Sequence, residues 1–372
     1  MAEPDVAKVI PIGDGEGAKA RRKVPSTKKP RAAKAPGVGT STSTRRRVAD
    51  PAEPAVHAGT TDEVLGDRAH LADLVDLMDL ADLGDLGRPG SAGGDWDAKV
   101  AEALAFLRRR ITGDYVVDEF GYDAELSDKV LMAALRPLYR RWFRVETQGL
   151  TNMPDTGGAL LVANHSGTIA IDSLMTQLAL LDDHPAQRPL RLLGANLVFS
   201  TPVVGELARK SGATLACNED AERLLSAGQA VGVFPEGFKG VGKPYSERYK
   251  LQRFGRGGFV SAALRTRVPI IPVSIVGAEE IYPIIYNVKT LARLLGLPYF
   301  PITPTFPLLG PLGVIPLPSK WIIEFGEPIR TDVYAEGAAD DPMLVFNLTD
   351  QVRETIQHTL YKLLMQRRSV FF

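Results

Sequence analysis

Six short apolar runs between residues 143 and 325 constrain the fold of this chain more than any other feature. The segments between them, such as residues 172–181 and 219–227, have the spacing of amphipathic helices. Alternating strands and helices are typical of α/β domains, so we predict a mixed, largely parallel central sheet flanked by helices. The predicted strands are residues 143–148, 159–163, 190–194, 230–234, 270–276 and 321–325.

The N-terminal quarter has a different composition. Residues 1–95 are rich in Ala, Pro, Gly, Ser and Thr and nearly free of aromatic residues, which predicts a disordered tail and linker. Its basic clusters favour loose contact with anionic lipid over specific nucleic-acid binding, because no aromatic residues alternate with them. Between residues 71 and 86, Leu and Asp each recur every three residues, which suits either a short acidic helix that binds a partner or a low-complexity linker.

Helical patterns flank the predicted sheet domain, residues 143–335, on both sides. Residues 96–142 read as two amphipathic helices, and the second ends in a mixture of Trp, Tyr and Arg. That mixture suits docking on a membrane interface or a packed helix with snorkelling arginines. Residues 336–372 predict a C-terminal helix that starts near Asp341 and either packs on the domain or contacts lipid.

Composition excludes some classes of site and spanning segment. The chain has 44 basic and 44 acidic residues, so its net charge points to no partner. Its single cysteine, Cys217, excludes an internal disulfide framework and a cysteine-rich zinc site, and the five histidines have no metal-ligand spacing.

Residues 294–319 carry no charge, but seven prolines interrupt them, which favours a segment on a membrane surface over a spanning helix. With no signal-peptide pattern, we expect a cytoplasmic protein, peripheral on the inner face of the cell membrane.

The stretch LVANHSGTIAID, residues 161–172, ends a predicted strand at the edge of the sheet where active sites of α/β proteins gather. His165 can accept a proton, and Asp172 can fix its tautomer. A purely structural histidine is the alternative. In a continuous helix the two residues would be about 10 Å apart, so the pair requires a non-helical turn through residues 166–168.

The stretch AVGVFPEGFKGVGKP, residues 230–244, also ends a predicted strand in a turn, and this turn is rich in glycine and lysine. Its glycines allow backbone N–H groups to approach an anion, and Lys239 and Lys243 add charge, although the spacing is not that of a P-loop. A plain strand-to-loop turn is the alternative. The basic loop that follows, residues 243–259, predicts either a site for the phosphates of coenzyme A or of an acceptor, or a solvated basic face.

Four blocks, taken in order, resemble the glycerophospholipid acyltransferase family, which includes the 1-acylglycerol-3-phosphate acyltransferases. The resemblance covers roughly residues 138–330. Its blocks are ANHSGTIAID, FSTPVVGELARKSGAT, FPEGFKG and VPIIPVSIVGAEE.

The resemblance implies a role for each matching residue. His165 would be the general base on the acceptor hydroxyl, oriented by Asp172, and the acyl donor would be acyl-CoA or an acyl carrier protein, with no other cofactor. Glu236 and Gly237 would bind the glycerol part of the acceptor. The remaining substrate-binding candidates are Asn164, Lys239, Lys243, Arg256 and Pro272, of which the last would shape the pocket on the thioester side.

The sequence differs from the family pattern at three points. Six residues separate His165 from Asp172 where the family has four, so that Ala170 stands at the usual aspartate position. Lys239 replaces an arginine, and Asn218 stands near a second arginine position. We therefore expect a membrane-associated O-acyltransferase that acts on a lysophospholipid or related glycerolipid. The alternatives are the same chemistry on a neutral lipid or another alcohol, and an inactive lipid-binding protein of the same fold.

Overall fold

The computed structural model describes residues 94–255 and 257–371. The predicted disordered tail, except for its last two residues, and the leucine repeat lie outside these ranges, as does Arg256. Residues 94 and 95 belong to the first helix, which begins slightly earlier than predicted.

Two helices precede the sheet, as expected from residues 96–142. The first, α1, spans Gly94–Thr112. Asp123 caps the second, α2, by accepting a hydrogen bond from the backbone N–H of Leu126 at 3.0 Å, and its carboxylate also pairs with Arg110 of α1 at 2.8 Å. This shared carboxylate ties the two helices together. Helix α2 is a continuous run of α and π turns: Ala124–Leu126, Ser127–Met132, Ala133–Pro137 and Leu138–Trp142.

The central sheet has seven strands in the order β1-β9-β6-β2-β5-β3-β4. Neighbouring strands are parallel except for the β6–β9 pair. All six predicted strands are present: three have the predicted bounds, and the other three differ at one end by one to three residues. The seventh strand, β4, has three residues, too few for a recognisable pattern. The strands are β1 Glu146–Gln148, β2 Ala159–Ala163, β3 Leu190–Gly194, β4 Ala213–Leu215, β5 Ala230–Val233, β6 Ile270–Val276 and β9 Ile322–Phe325.

Helices cover both faces of the sheet, and the period of two along each strand divides the core between them. In β2, Leu161 and Ala163 face one apolar cluster, and Leu160 and Val162 face the other. Neither side of the strand meets water, which accounts for its uninterrupted apolar sequence. The flanking helices are α3 Ile171–Leu178, continued by a π turn Ala179–Asp183, α4 Asn196–Ser200, α5 Val204–Lys210, α6 Asn218–Ser226, α7 Phe238–Val241 and α8 Gly258–Thr266.

The C-terminal helix, α10, spans Pro342–Gln366 and packs on the sheet. Asp341 caps it by accepting from the N–H of Met343 at 2.9 Å, and Pro342 occupies its first position. The buried side chains Val352 and Ile356 belong to the same apolar cluster as Val162. The helix is therefore part of the core of the domain rather than a separate segment.

An excursion of about forty residues, 281–319, joins β6 to β9 and contains the charge-free segment. It holds β7 Tyr286–Asn287, α9 Lys289–Leu294, β8 Pro301–Ile302 and a 3-10 turn Gly310–Val314. Among the residues that the structure describes, no helix is long and apolar enough to cross a membrane.

Candidate active site

His165 and Asp172 form a hydrogen-bonded pair at the carboxyl end of β2. Nδ1 of His165 lies 2.8 Å from Oδ2 of Asp172. Because a carboxylate only accepts hydrogen bonds, Nδ1 carries the proton and Nε2 presents its lone pair. No hydrogen bond from any described residue reaches Nε2, and the side chain of His165 is 14% exposed. The ring is thus oriented as a base that is open to a substrate.

A tight turn brings the aspartate back to the histidine. Gly167 and Thr168 both have positive φ, 94° and 61°, and helix α3 begins only at Ile171. A Cβ on Gly167 would lie 3.0 Å from the Ile281 side chain and 3.1 Å from the Ala278 carbonyl, so the turn has no room for a larger residue. The non-helical turn that the sequence spacing requires is present.

The carboxylate of Asp172 is fully buried and held by the backbone. Oδ2 accepts from the N–H of Ser166 at 2.8 Å, and Oδ1 accepts from the N–H of Ser173 at 2.9 Å. The imidazole ring also packs against Phe234, with 4.8 Å between ring centroids. These contacts fix both members of the pair before any substrate arrives.

Glu236 supports the histidine rather than facing a substrate. Its side chain is fully buried; Oε1 accepts from the backbone N–H of His165 at 2.9 Å, and Oε2 accepts from that of Gln252 at 2.6 Å. The expected contact with the glycerol of the acceptor stays a prediction; in the structure each carboxylate oxygen accepts one backbone hydrogen bond. Since β2 and β5 are adjacent and parallel, their carboxyl ends bring the two motifs together.

Lys243 lies beneath this carboxylate in a buried ion cluster. Its Nζ is 3.5 Å from Glu236 Oε2 and 3.1 Å from Glu279 Oε1, and only 2% of its side chain is exposed. The expectation that Lys243 binds a substrate phosphate stays a prediction; in the structure two carboxylates lie beside its ammonium group, which is out of reach of solvent. Burial raises the pKa of Glu279 to about 7, although the neighbouring Lys243 opposes the shift.

Asn164 and Pro272 are structural residues of the sheet. The amide of Asn164 donates to the Ile275 carbonyl at 3.0 Å and accepts from the Ile275 N–H at 2.7 Å, so it continues the pairing of β2 with β6. Pro272 is buried within β6, opposite Val162. Their substrate-binding roles stay predictions; in the structure the Asn164 amide is engaged by the β6 backbone and Pro272 is buried in the sheet.

The other expected substrate contacts lie near the turn after β5. Gly237 is half-buried with a φ of 53°. Lys239 is exposed, and its side chain has no hydrogen-bond or ion-pair partner among the described residues. Arg256 lies outside the described residues. Gly240 packs directly on the histidine, because a Cβ there would lie 2.5 Å from the His165 carbonyl.

An apolar groove of about 320 Å³ opens beside the histidine turn, and sequence reasoning did not find it. The turn contributes Thr168 and Ile169, and the loop after β5 contributes Phe238. The other wall is the excursion, whose Tyr299 hydroxyl donates to the Thr168 carbonyl. Its lining residues from the excursion are Tyr282, Leu297, Pro298, Tyr299, Phe300, Pro301, Thr303, Phe306, Gly313 and Val314.

Comparisons with known proteins agree with this geometry. A family model described as Acyltransferase matches residues 144–276, which contain both motifs. Uncharacterized proteins of Mycobacterium leprae (strain TN) and Mycobacterium tuberculosis (strain H37Rv) are each 61% identical over 273 residues, which is 73% of this chain and 74% and 76% of theirs.

Two characterised proteins are more distantly similar. A chloroplastic 1-acyl-sn-glycerol-3-phosphate acyltransferase of Brassica napus is 24% identical over 153 residues, 38% of this chain and 40% of that protein. The crystal structure of the 1-acyl-sn-glycerophosphate acyltransferase of Thermotoga maritima aligns with a TM-score of 0.41 and 20% identity, covering 66% of this chain and 85% of that one.

Proposed function

This chain belongs to the glycerophospholipid acyltransferase family, and we propose that it moves a fatty acyl group from an acyl thioester to a hydroxyl of a lysophospholipid or related glycerolipid. The observation that carries the proposal is the oriented His165–Asp172 pair at the edge of the apolar groove. The pair supplies a base, and the groove suits a fatty chain.

In the proposed reaction His165 acts directly on the acceptor. Its Nε2 takes the proton of the acceptor hydroxyl while that oxygen attacks the thioester carbonyl carbon. The carbon–sulfur bond then breaks, and the departing thiolate recovers the proton from the imidazolium. Asp172 stabilises the imidazolium of His165 between these two steps, so the charged ring needs no other partner.

The single cysteine does not support a covalent acyl-enzyme. Cys217, the single cysteine, lies at the start of α6, and burial raises the pKa of its thiol. The thiol form is a poor nucleophile. Direct transfer from donor to acceptor is therefore the simplest scheme.

The groove is the proposed site of the fatty acyl chain. It begins at Thr168 and Ile169, within four residues of the base, and its walls are almost wholly apolar. Burial raises the pKa of Tyr299 to about 12, so its hydroxyl keeps the proton that it donates to Thr168. That bond ties the excursion to the catalytic turn and sets the mouth of the groove.

Membrane association is proposed from the outer surface of the same excursion. Leu308 and Leu294 are 84% and 80% exposed, and Ile285, Tyr286 and Leu312 are exposed as well. Apolar surface of this kind marks docking sites on membranes or proteins. Trp142, at the end of α2, donates to the Pro316 carbonyl at 2.9 Å and extends this surface, which suits substrates that reside in a bilayer.

A panel of acceptors tests the proposal. The purified protein is incubated with acyl-CoA and lysophospholipids, monoacylglycerol or a simple alcohol, and free thiol is followed together with the product by mass spectrometry. We expect thiol release that depends on a lysophospholipid. Release with monoacylglycerol alone would support the neutral acceptor, which is favoured by Asn218, near a position where the family has an arginine. No acceptor-dependent release, with lipid binding intact, would reject the enzyme and leave the lipid-binding protein.

A further inference from the structure

A second cavity, of about 400 Å³, lies between the basic loop and the C-terminal arm of the chain. The loop contributes Arg248, Tyr249 and Lys250, and the end of α10 with the residues after it contributes the opposite wall. The lining residues of that wall are Tyr361, Leu364, Arg367, Arg368, Ser369 and Val370. Glu280, just after β6, completes the cavity, which we call the C-terminal pocket.

Positive charge predominates in the C-terminal pocket. Four cations and one carboxylate, Glu280, line it. Glu280 forms an ion pair with Arg367, whose Nη1 lies 2.8 Å from Glu280 Oε1. Arg248, Lys250 and Arg368 are exposed, and none of them forms an ion pair with a described residue. The pocket therefore has three cations available for an anion.

The floor of the pocket is rigid. The Arg367 side chain is only 5% exposed, and its Nη2 donates to the carbonyls of Lys320 at 2.7 Å and Val370 at 2.9 Å. Its Nε has no hydrogen-bond partner among the described residues. A buried guanidinium with one unused donor, set in a concave basic pocket, is typical of an anion site rather than of a solvated basic face.

The pocket also has an apolar side. Tyr361 is half-exposed, and Leu364 lies one turn further along α10. An anion with an attached aromatic or apolar group therefore fits this lining better than a simple inorganic anion does.

The pocket adjoins the catalytic centre. Lys250 is two residues from Gln252, whose N–H binds Glu236, and two extended residues span at most about 7 Å. Glu280 is likewise next to Glu279 of the buried ion cluster. A ligand in the pocket would thus lie at the same edge of the sheet as His165.

We propose that the C-terminal pocket binds a phosphate carried by an amphiphile used at the active site. Two sources share this chemistry: the nucleotide part of a coenzyme A thioester and the headgroup of an anionic phospholipid. The inference rests on the proposed function for the identity of the carrier. The proposal also assigns different roles to the basic residues of the loop: Lys243 lies beside Glu236 in the interior, while Arg248 and Lys250 line the pocket.

Binding measurements on the full chain test the proposal. Calorimetry with coenzyme A and with its 3′-dephospho form, and sedimentation with phosphatidylglycerol or phosphatidylcholine vesicles, are compared for wild type, Lys250→Gln and Arg368→Gln. Arg353→Gln, on the same helix but outside the pocket, is the matched control. We expect each pocket variant to weaken one phosphate ligand about tenfold while the control does not.

Each outcome decides the question. Weaker coenzyme A binding with unchanged vesicle binding assigns the pocket to the donor, and the reverse assigns it to the headgroup. Equal binding by wild type, pocket variants and control overturns the proposal, as does a wild type that binds none of these probes. Because binding needs no turnover, a protein that binds through the pocket but transfers no acyl group rejects only the proposed function. Unchanged melting temperatures check that the variants, both at exposed positions, remain folded.

Discussion

The histidine turn, residues 164–172, and the excursion, residues 281–319, border the same groove but are held in different ways. In the turn, the polar groups are buried and hydrogen-bonded: Asn164 to the β6 backbone, and Asp172 to two N–H groups and the imidazole. The excursion presents exposed leucines to solvent and is tied to the domain by polar contacts such as Trp142 Nε1–H to the Pro316 carbonyl at 2.9 Å.

This difference implies that the turn and the excursion have separate functions, proton transfer and selection of the acyl chain. A hydrogen-bonded turn holds one geometry, and that is what proton transfer requires. The lining of the groove is almost wholly apolar and offers an acyl chain few directional bonds, so it tolerates changes of shape. Variants of the turn should therefore lower the rate with every substrate, whereas variants of the excursion should change which acyl chains are accepted.

His165→Ala gives the largest expected effect. Loss of the base should lower kcat about 10³-fold with every acyl donor, measured by thiol release. The backbone N–H that binds Glu236 remains, so the melting temperature should stay close to that of wild type. Substantial residual activity in a folded variant would remove the turn from the chemistry.

Asp172→Asn should have the next largest effect, a fall in kcat of about 10²-fold, because the amide no longer stabilises the imidazolium. Asp182→Asn is the matched control. Asp182 pairs with Arg136 and Arg140 and ties α3 to α2, far from the imidazole in the hydrogen-bond network. It should cost about 1 kcal/mol of stability and leave kcat unchanged. Equal losses of activity in the two variants would mean that Asp172 is not the partner of the base.

Val314→Trp tests the excursion. Val314 lines the groove and is 53% exposed, so a larger side chain can be accommodated without unfolding while it narrows the groove. We expect kcat/KM to fall about tenfold for long acyl chains relative to short ones, since a few buried methylene groups are worth that much. The control is Val333→Trp, at a position 62% exposed and outside the groove, which should leave the chain-length profile unaltered.

Glu279→Gln probes the ion cluster under the turn and has the smallest expected effect on the rate; its effect is on stability. Because burial raises the folded-state pKa of Glu279 from 4.5 to about 7, the folded protein holds an extra proton between these values. Its contribution to stability is therefore complete below pH 4.5 and lost as the pH rises through 7, on the order of 3 kcal/mol. Urea unfolding from pH 4.5 to 8 should show a flatter dependence for Glu279→Gln than for wild type. Parallel curves would exclude this titration.

Much of the fold was predictable because the strands are buried on both faces. β2 has an uninterrupted apolar sequence and β6 contains a single polar residue, Ser274, and turn or polar residues bound both strands, so their ends could be placed closely. Strand β4 was missed because three residues, Ala213–Leu215, carry too little pattern.

The site was predictable only in part. The motifs pointed to His165, Asp172 and Glu236, and the spacing identified the turn that the pair needs. The partners of Asn164 and Glu236 are backbone groups, which leave no trace in side-chain pattern. The burial of Lys243 depends on Glu279, which lies 36 residues away in the chain. The charge-free segment was noticed, but the groove exists only because the excursion folds over Thr168.

The most direct test is a chain-length profile of kcat/KM for wild type, Asp172→Asn and Val314→Trp, measured in one assay with acyl-CoA donors from short to long. The account predicts that Asp172→Asn lowers every point by the same factor and that Val314→Trp lowers only the long-chain end. Profiles of the same shape for the two variants would contradict the division between a turn that does the chemistry and an excursion that selects the chain.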